Sequence, residues 1–99
     1  MTHETLLGLS FEPNKFNGGV QLVLEYGDYE LSIVQHDGSH GGKQGLYEIG
    51  VFNSRGGVEL PGITEPGDTV KGFLTLSDVA IICKKMQTFT GNEPVKVSQ

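Results

Sequence analysis

Tryptophan is absent from this chain, and cysteine occurs once, at Cys83. A lone cysteine excludes an internal disulfide. Basic residues are scarce: seven Lys and Arg stand against twelve Asp and Glu, a formal net charge of −5. Such a chain lacks the basic face that non-specific nucleic-acid binding needs, and anionic lipid repels it. The expected partners therefore include no nucleic acid and no membrane. Long apolar runs are missing too. The longest, 79–83 (VAIIC), falls far short of the roughly 20 residues that span a bilayer. The first ten residues hold an acid and a histidine and no basic leader, so no signal peptide is expected. These absences together predict a protein of a reducing cytoplasm.

Glycine is abundant, with 15 in 99 residues, and hydrophobic residues make up only 36%. That balance fits a turn-rich sheet protein with a modest core, one that gains from forming a homo-oligomer. The length allows one domain, placed at residues 1–91, with 92–99 as a loose tail. The acids concentrate early. Residues 1–83 carry eleven acids and four bases, whereas 84–99 carry one acid and three bases.

The strongest local signal is a hairpin. Residues 20–26 (VQLVLEY) and 29–35 (YELSIVQ) are joined by Gly27-Asp28. Gly first in a two-residue loop specifies a type II′ turn, which fixes the register. Tyr26 then faces Tyr29, Leu24 faces Leu31, and Leu22 faces Ile33, all on one side. The other side pairs Glu25 with Glu30, Val23 with Ser32, and Gln21 with Val34.

Other elements follow from shorter patterns. Residues 6–11 (LLGLSF) read as a first strand ended by Pro13, and 14–19 as a reversal. Residues 46–53 read as a strand with Tyr47, Ile49 and Val51 on one face and Glu48, Gly50 and Phe52 on the other. Residues 54–57 form a turn, 58–60 a short edge strand, and 61–66 an irregular connection between prolines. A helix is expected over 77–89, capped by Ser77 and stopped at Gly91. Its apolar stripe is Val79, Ile82, Cys83 and Met86. The fold class is α+β: an antiparallel sheet of three to five strands with one C-terminal helix on one face.

Two motif clusters resemble an uncharacterised family of small tailed-bacteriophage proteins. The first is Ser32, Ile33, Val34 and His36, then Gly41 and Gly42, then Gly45, Leu46, Tyr47 and Glu48. The second is the 69–75 run TVKGFLT before the helix, with Asp68 one position ahead of where that pattern places its acid. The resemblance covers well under two thirds of the chain. It implies a phage accessory protein acting in the host cytoplasm. Such proteins often bind host proteins or defence-signalling nucleotides without catalysing a reaction.

The residues themselves offer several candidate contact points. The 36–45 loop (HDGSHGGKQG) brings together His36, His40, Gly41, Gly42 and Lys43. Its glycines permit close approach and can present N–H groups as an anion nest, with Lys43 to pair with a phosphate. It lacks the spacing of a P-loop, and no helix follows it. Tyr26 and Tyr29 form an aromatic pair that can stack on a nucleobase. Arg55 has the fork geometry for carboxylate or phosphate. Val23, Val34 and Phe52 form an apolar stripe on the outer sheet face, suited to an interface unless the N-terminal segment or the 61–66 loop covers it. Glu25, Glu30 and Glu48 are expected on that same face, where like charges favour a basic partner. Cys83 reads as a core residue. No metal site, cofactor or catalytic residue is expected, because no triad or metal-ligand spacing occurs.

Two functions fit these features. One is a non-enzymatic binder of a host protein, acting as inhibitor or adaptor. The other is an oligomeric binder that sequesters a nucleotide through the Gly-rich loop.

Overall fold

The computed structural model describes residues 5–15 and 17–97. Residues before Thr5, Phe16 within the expected reversal, and the last two residues of the expected tail lie outside them.

The central hairpin is built as the sequence dictates. Strands β4 (Val20–Tyr26) and β5 (Tyr29–Gln35) pair antiparallel from Val20↔Gln35 to Tyr26↔Tyr29. Gly27 takes φ +64, whereas Asp28 is not among the positive-φ residues, as a type II′ turn requires. Leu22, Leu24, Tyr26, Leu31 and Ile33 are all buried. Strand β6 (Tyr47–Asn53) pairs with β5 and buries Tyr47, Ile49 and Val51 on the same side.

Both flanks of this three-stranded centre are shared by short segments. On the β4 flank, β3 (Glu12–Pro13) pairs with Val20 and Gln21, and β9 (Val95–Val97) pairs with Val23 to Glu25. On the β6 flank, β8 (Val70–Leu74) pairs with Tyr47 to Gly50, and β7 (Gly56–Gly57) pairs with Phe52 and Asn53. The sheet thus has seven strands but is five positions wide.

Several local expectations need correction. Residues 6–11 are not one strand: β1 (Thr5–Leu6) and β2 (Leu9–Ser10) fold into a small separate hairpin about Leu7-Gly8. Both turn residues have positive φ, which breaks the strand in two. Pro13 ends not a strand over 6–11 but the two-residue edge strand β3, where its missing N–H costs no ladder bond. The reversal at 14–19 is held by Asn14 N–H to Gly19 O at 3.1 Å and Gly18 N–H to Asn14 O at 3.1 Å. The return after the Ser54-Arg55 turn is β7, and 58–60 contains no strand. Val95–Val97, expected in a loose tail, is paired in the sheet.

The helix α1 (Leu76–Thr90) starts earlier than expected. Its cap is Thr75, not Ser77. The Thr75 hydroxyl accepts from the Asp78 N–H at 3.1 Å, and the Asp78 carboxylate accepts from the Thr75 N–H at 3.0 Å. This reciprocal box satisfies two otherwise orphaned donors. It also holds the Asp78 carboxyl below the usual aspartate range, through the backbone and then the side-chain bond to Thr75. Gly91 ends the helix at φ +71, with its N–H on Gln87 O at 2.8 Å.

Val79, Ile82, Cys83 and Met86 bury the helix against the sheet. Each large apolar side chain so buried contributes about 1.5–3 kcal/mol. Leu6, Phe11, Leu60 and Ile63 join the same cluster. The N-terminal hairpin and the 60–63 segment therefore fill in beside the helix. Lys85 Nζ donates to Gly62 O at 2.9 Å and ties that segment to α1. The described residues form two layers, the sheet and, on one side of it, the helix with the N-terminal hairpin and the 60–63 segment.

Candidate functional site

The 36–45 loop connects β5 to β6 and is tightly built. Ser39 is buried and binds His36 three times: its Oγ donates to His36 O at 2.7 Å and accepts from His36 N–H at 3.0 Å, and its N–H donates to His36 O at 3.0 Å. His36 Nδ1 accepts from Gly38 N–H at 3.0 Å, which leaves Nε2 as the ring donor. A turn of 3-10 helix at Gly42–Gln44 closes the loop between Gly41 and Gly45, both at positive φ. Gly42 cannot carry a side chain, because a Cβ there would run into the His36 carbonyl.

This construction engages seven of the ten N–H groups of the loop. The N–H groups of His36, Gly38, Ser39, His40, Gly42, Gln44 and Gly45 all donate within the loop or to Glu48. The glycines serve the loop's own turns and close packing. Lys43 is exposed on its outside.

His40 and Glu48 form the loop's anchor to the sheet. Glu48 accepts from His40 N–H at 3.1 Å and meets His40 Nδ1 at 2.8 Å. His40 O accepts from Phe73 N–H at 3.1 Å, and the two rings stack 6.5 Å apart. Phe73 sits at φ +58, where the β6–β8 register shifts between Tyr47 and Ile49. One extra β8 residue there turns the Phe73 ring outward.

Other expected contact residues are dispersed. Tyr26 is fully buried and has no face for a ligand, which corrects its assignment to a stacking platform. Burial first, and then the Cys83 thiol, push its phenol far above the ordinary range. Burial likewise raises the Cys83 thiol, against a smaller lowering by Tyr26. Tyr29 is half-buried, with its ring edge-on to Phe89 at 5.5 Å. Arg55 lies in the exposed turn between β6 and β7, at the end of the sheet opposite Lys43. The length of β6 separates them by about 20 Å. No group of three or more His, Cys, Asp or Glu able to hold a metal occurs among the described residues.

The outer sheet face gathers more of the expected residues. Of the two segments named as its possible covers, Leu6 and Phe11 join the core cluster, and residues 60–63 line a groove with the helix. Val23 and Val34 are half-buried, and Phe52 is 40% exposed, its ring over Gly50. The register adds Val97 beside Val23, and Val70 beside Gly50. It also adds Val95, 61% exposed, beside Glu25. The short VKV and the bulged VKGFL segments gave too little alternation for these three to be found in the sequence.

One row across this face carries the most exposed chemistry. It runs Val95, Glu25, Glu30, Phe52, one residue from each of β9, β4, β5 and β6. Among the described residues neither glutamate has an ion-pair partner. Glu48 does not join them. It lies four residues along β6 from Phe52 and is engaged by His40.

A second surface lies behind the sheet. A groove of about 580 Å³ runs between the 60–63 segment and the solvent side of α1. It exposes Ile81 and Phe89, with Lys84 and Lys85 between them.

Compared with family models, with curated proteins and with solved structures, the chain finds no match in any of the three.

Proposed function

We propose that this chain is a non-enzymatic protein-binding module that docks a partner on its outer sheet face. The observation that carries this reading is the row Val95, Glu25, Glu30, Phe52. Two exposed apolar ends flank two adjacent carboxylates that have no ion-pair partner among the described residues. Like charges directly opposite across a strand pair cost stability, so such a row favours a partner bringing basic groups between apolar ones. The partner is a protein surface of that chemistry, and the role is that of inhibitor or adaptor. The phage setting belongs to the proposal as well, and it rests on the 32–48 and 69–75 motifs.

The nucleotide reading receives less support. Seven of the ten loop N–H groups are engaged, Tyr26 is buried, and Lys43 and Arg55 stand at opposite ends of the sheet.

Affinity capture from a bacterial host extract tests the proposal. The immobilised chain should retain proteins that the Glu25→Lys/Glu30→Lys variant does not. If both retain the same proteins, or the unaltered chain retains none, the outer face does not dock a host protein.

A further inference from the structure

The complement of the outer row stands on the same molecule. Along the solvent side of α1 the order is Ile81, Lys84, Lys85, Phe89: an apolar residue, two adjacent bases, an apolar residue. The outer row reads Val95, Glu25, Glu30, Phe52: an apolar residue, two adjacent acids, an apolar residue. The spacings agree. Eight residues of helix separate Ile81 from Phe89 by about 12 Å. Three inter-strand steps separate Val95 from Phe52 by about 14 Å. Ile81 and Phe89 are 57% and 55% exposed. With Phe52 and Val95 they make up four of the six large hydrophobics exposed among the described residues.

We infer that the partner fitting the outer face is a second copy of this chain, seated through its helix groove. The contact sets Lys84 of one copy against the carboxylates of the next and covers all four apolar ends, while Lys85 adds positive charge beside it with its Nζ kept on Gly62 O at 2.9 Å. It rests on the reading of the outer face given above and names its occupant.

The geometry also sets the kind of assembly. The helix packs on one side of the sheet, and the acidic row lies on the other. One copy cannot present both surfaces to the same neighbour. The contact is therefore heterologous and propagates as a stack or a ring of at least three copies, not as a closed dimer. Pairing two helix grooves face to face would oppose lysine to lysine.

Sedimentation of the purified chain alone tests this. The unaltered chain should grow in mass with concentration beyond two copies, and 1 M NaCl should reduce that growth. Phe52→Asp and Ile81→Asp should each remain monomeric with the thermal transition intact. Val95→Asp serves as a second outer-face variant should Phe52→Asp unfold. A mixture of Phe52→Asp and Ile81→Asp should form a 1:1 complex of about twice 10.7 kDa and nothing larger, because each variant keeps one working surface. A monomer at every concentration up to about 1 mM, variants that assemble as the unaltered chain does, or a mixture that stays monomeric would overturn the inference. The two proposals fail separately. A monomeric chain whose extract partners depend on Glu25 and Glu30 removes self-assembly and leaves the outer face as a docking surface.

Discussion

Glu25 and Glu30 stand directly opposite each other across the β4–β5 ladder, one position from the turn pair Tyr26 and Tyr29. Nothing in the hairpin requires acids there, since Leu24, Leu31 and the Gly27-Asp28 turn already set the register.

Replacing one of the two acids should therefore stabilise the isolated chain. Glu30→Lys turns a repulsive cross-strand pair into an attractive one, a gain of roughly 0.5 kcal/mol at low salt. Urea titration at low protein concentration measures it, and the gain should fade in 1 M NaCl. A destabilised variant would show that the carboxylate pair already has a compensating contact.

The second expectation concerns Tyr26. Its hydroxyl is buried without a hydrogen-bond partner among the described residues, beside a Cys83 thiol that is at best a weak acceptor. A buried unsatisfied hydroxyl is a liability, so Tyr26→Phe should be neutral or stabilising by up to about 1 kcal/mol. Chemical denaturation of the two chains decides it. A loss of more than about 1 kcal/mol would mean that the hydroxyl is satisfied in solution.

The third separates a rigid loop from a mobile one. Gly45 has positive φ but open space around it, so Gly45→Ala should cost about 1 kcal/mol. Gly42 has no space, because its Cβ would meet the His36 backbone; Gly42→Ala should cost about 2–3 kcal/mol. Amide exchange at Ser39 and Gly42 should accelerate in the second variant far more than in the first. Equal, small effects would describe a loop that samples many shapes.

The parts of the fold legible in the sequence are those where two independent signals agree. Gly27-Asp28 and the alternation of Leu22, Leu24, Leu31 and Ile33 each demand the same register, and the structure has it. The stripe of Val79, Ile82, Cys83 and Met86 is likewise buried as its spacing requires. The rest failed for physical reasons. Thr75 and Ser77 are both good caps, and only the reach of Asp78 back to Thr75 decides between them. Strand β8 hides because Phe73, in the left-handed region, breaks its alternation. Strand β9 has three residues, too few to carry a period, and exists through its pairing with β4. The candidate surface inherits these gaps. Val23, Val34 and Phe52 were readable as one stripe, whereas Val70, Val95 and Val97 reach it only by long-range pairing.

The divided flanks of the sheet bear on how copies of this chain can meet. Neither border offers a long, straight run of free backbone groups: β3 and β9 interrupt one, and β8 and β7 interrupt the other. A ragged border is a poor template for lateral strand addition, the route by which open sheets accrete into fibrils. Encounters between molecules are thereby turned away from the rims and toward the broad surfaces, where side chains rather than main chain choose the neighbour.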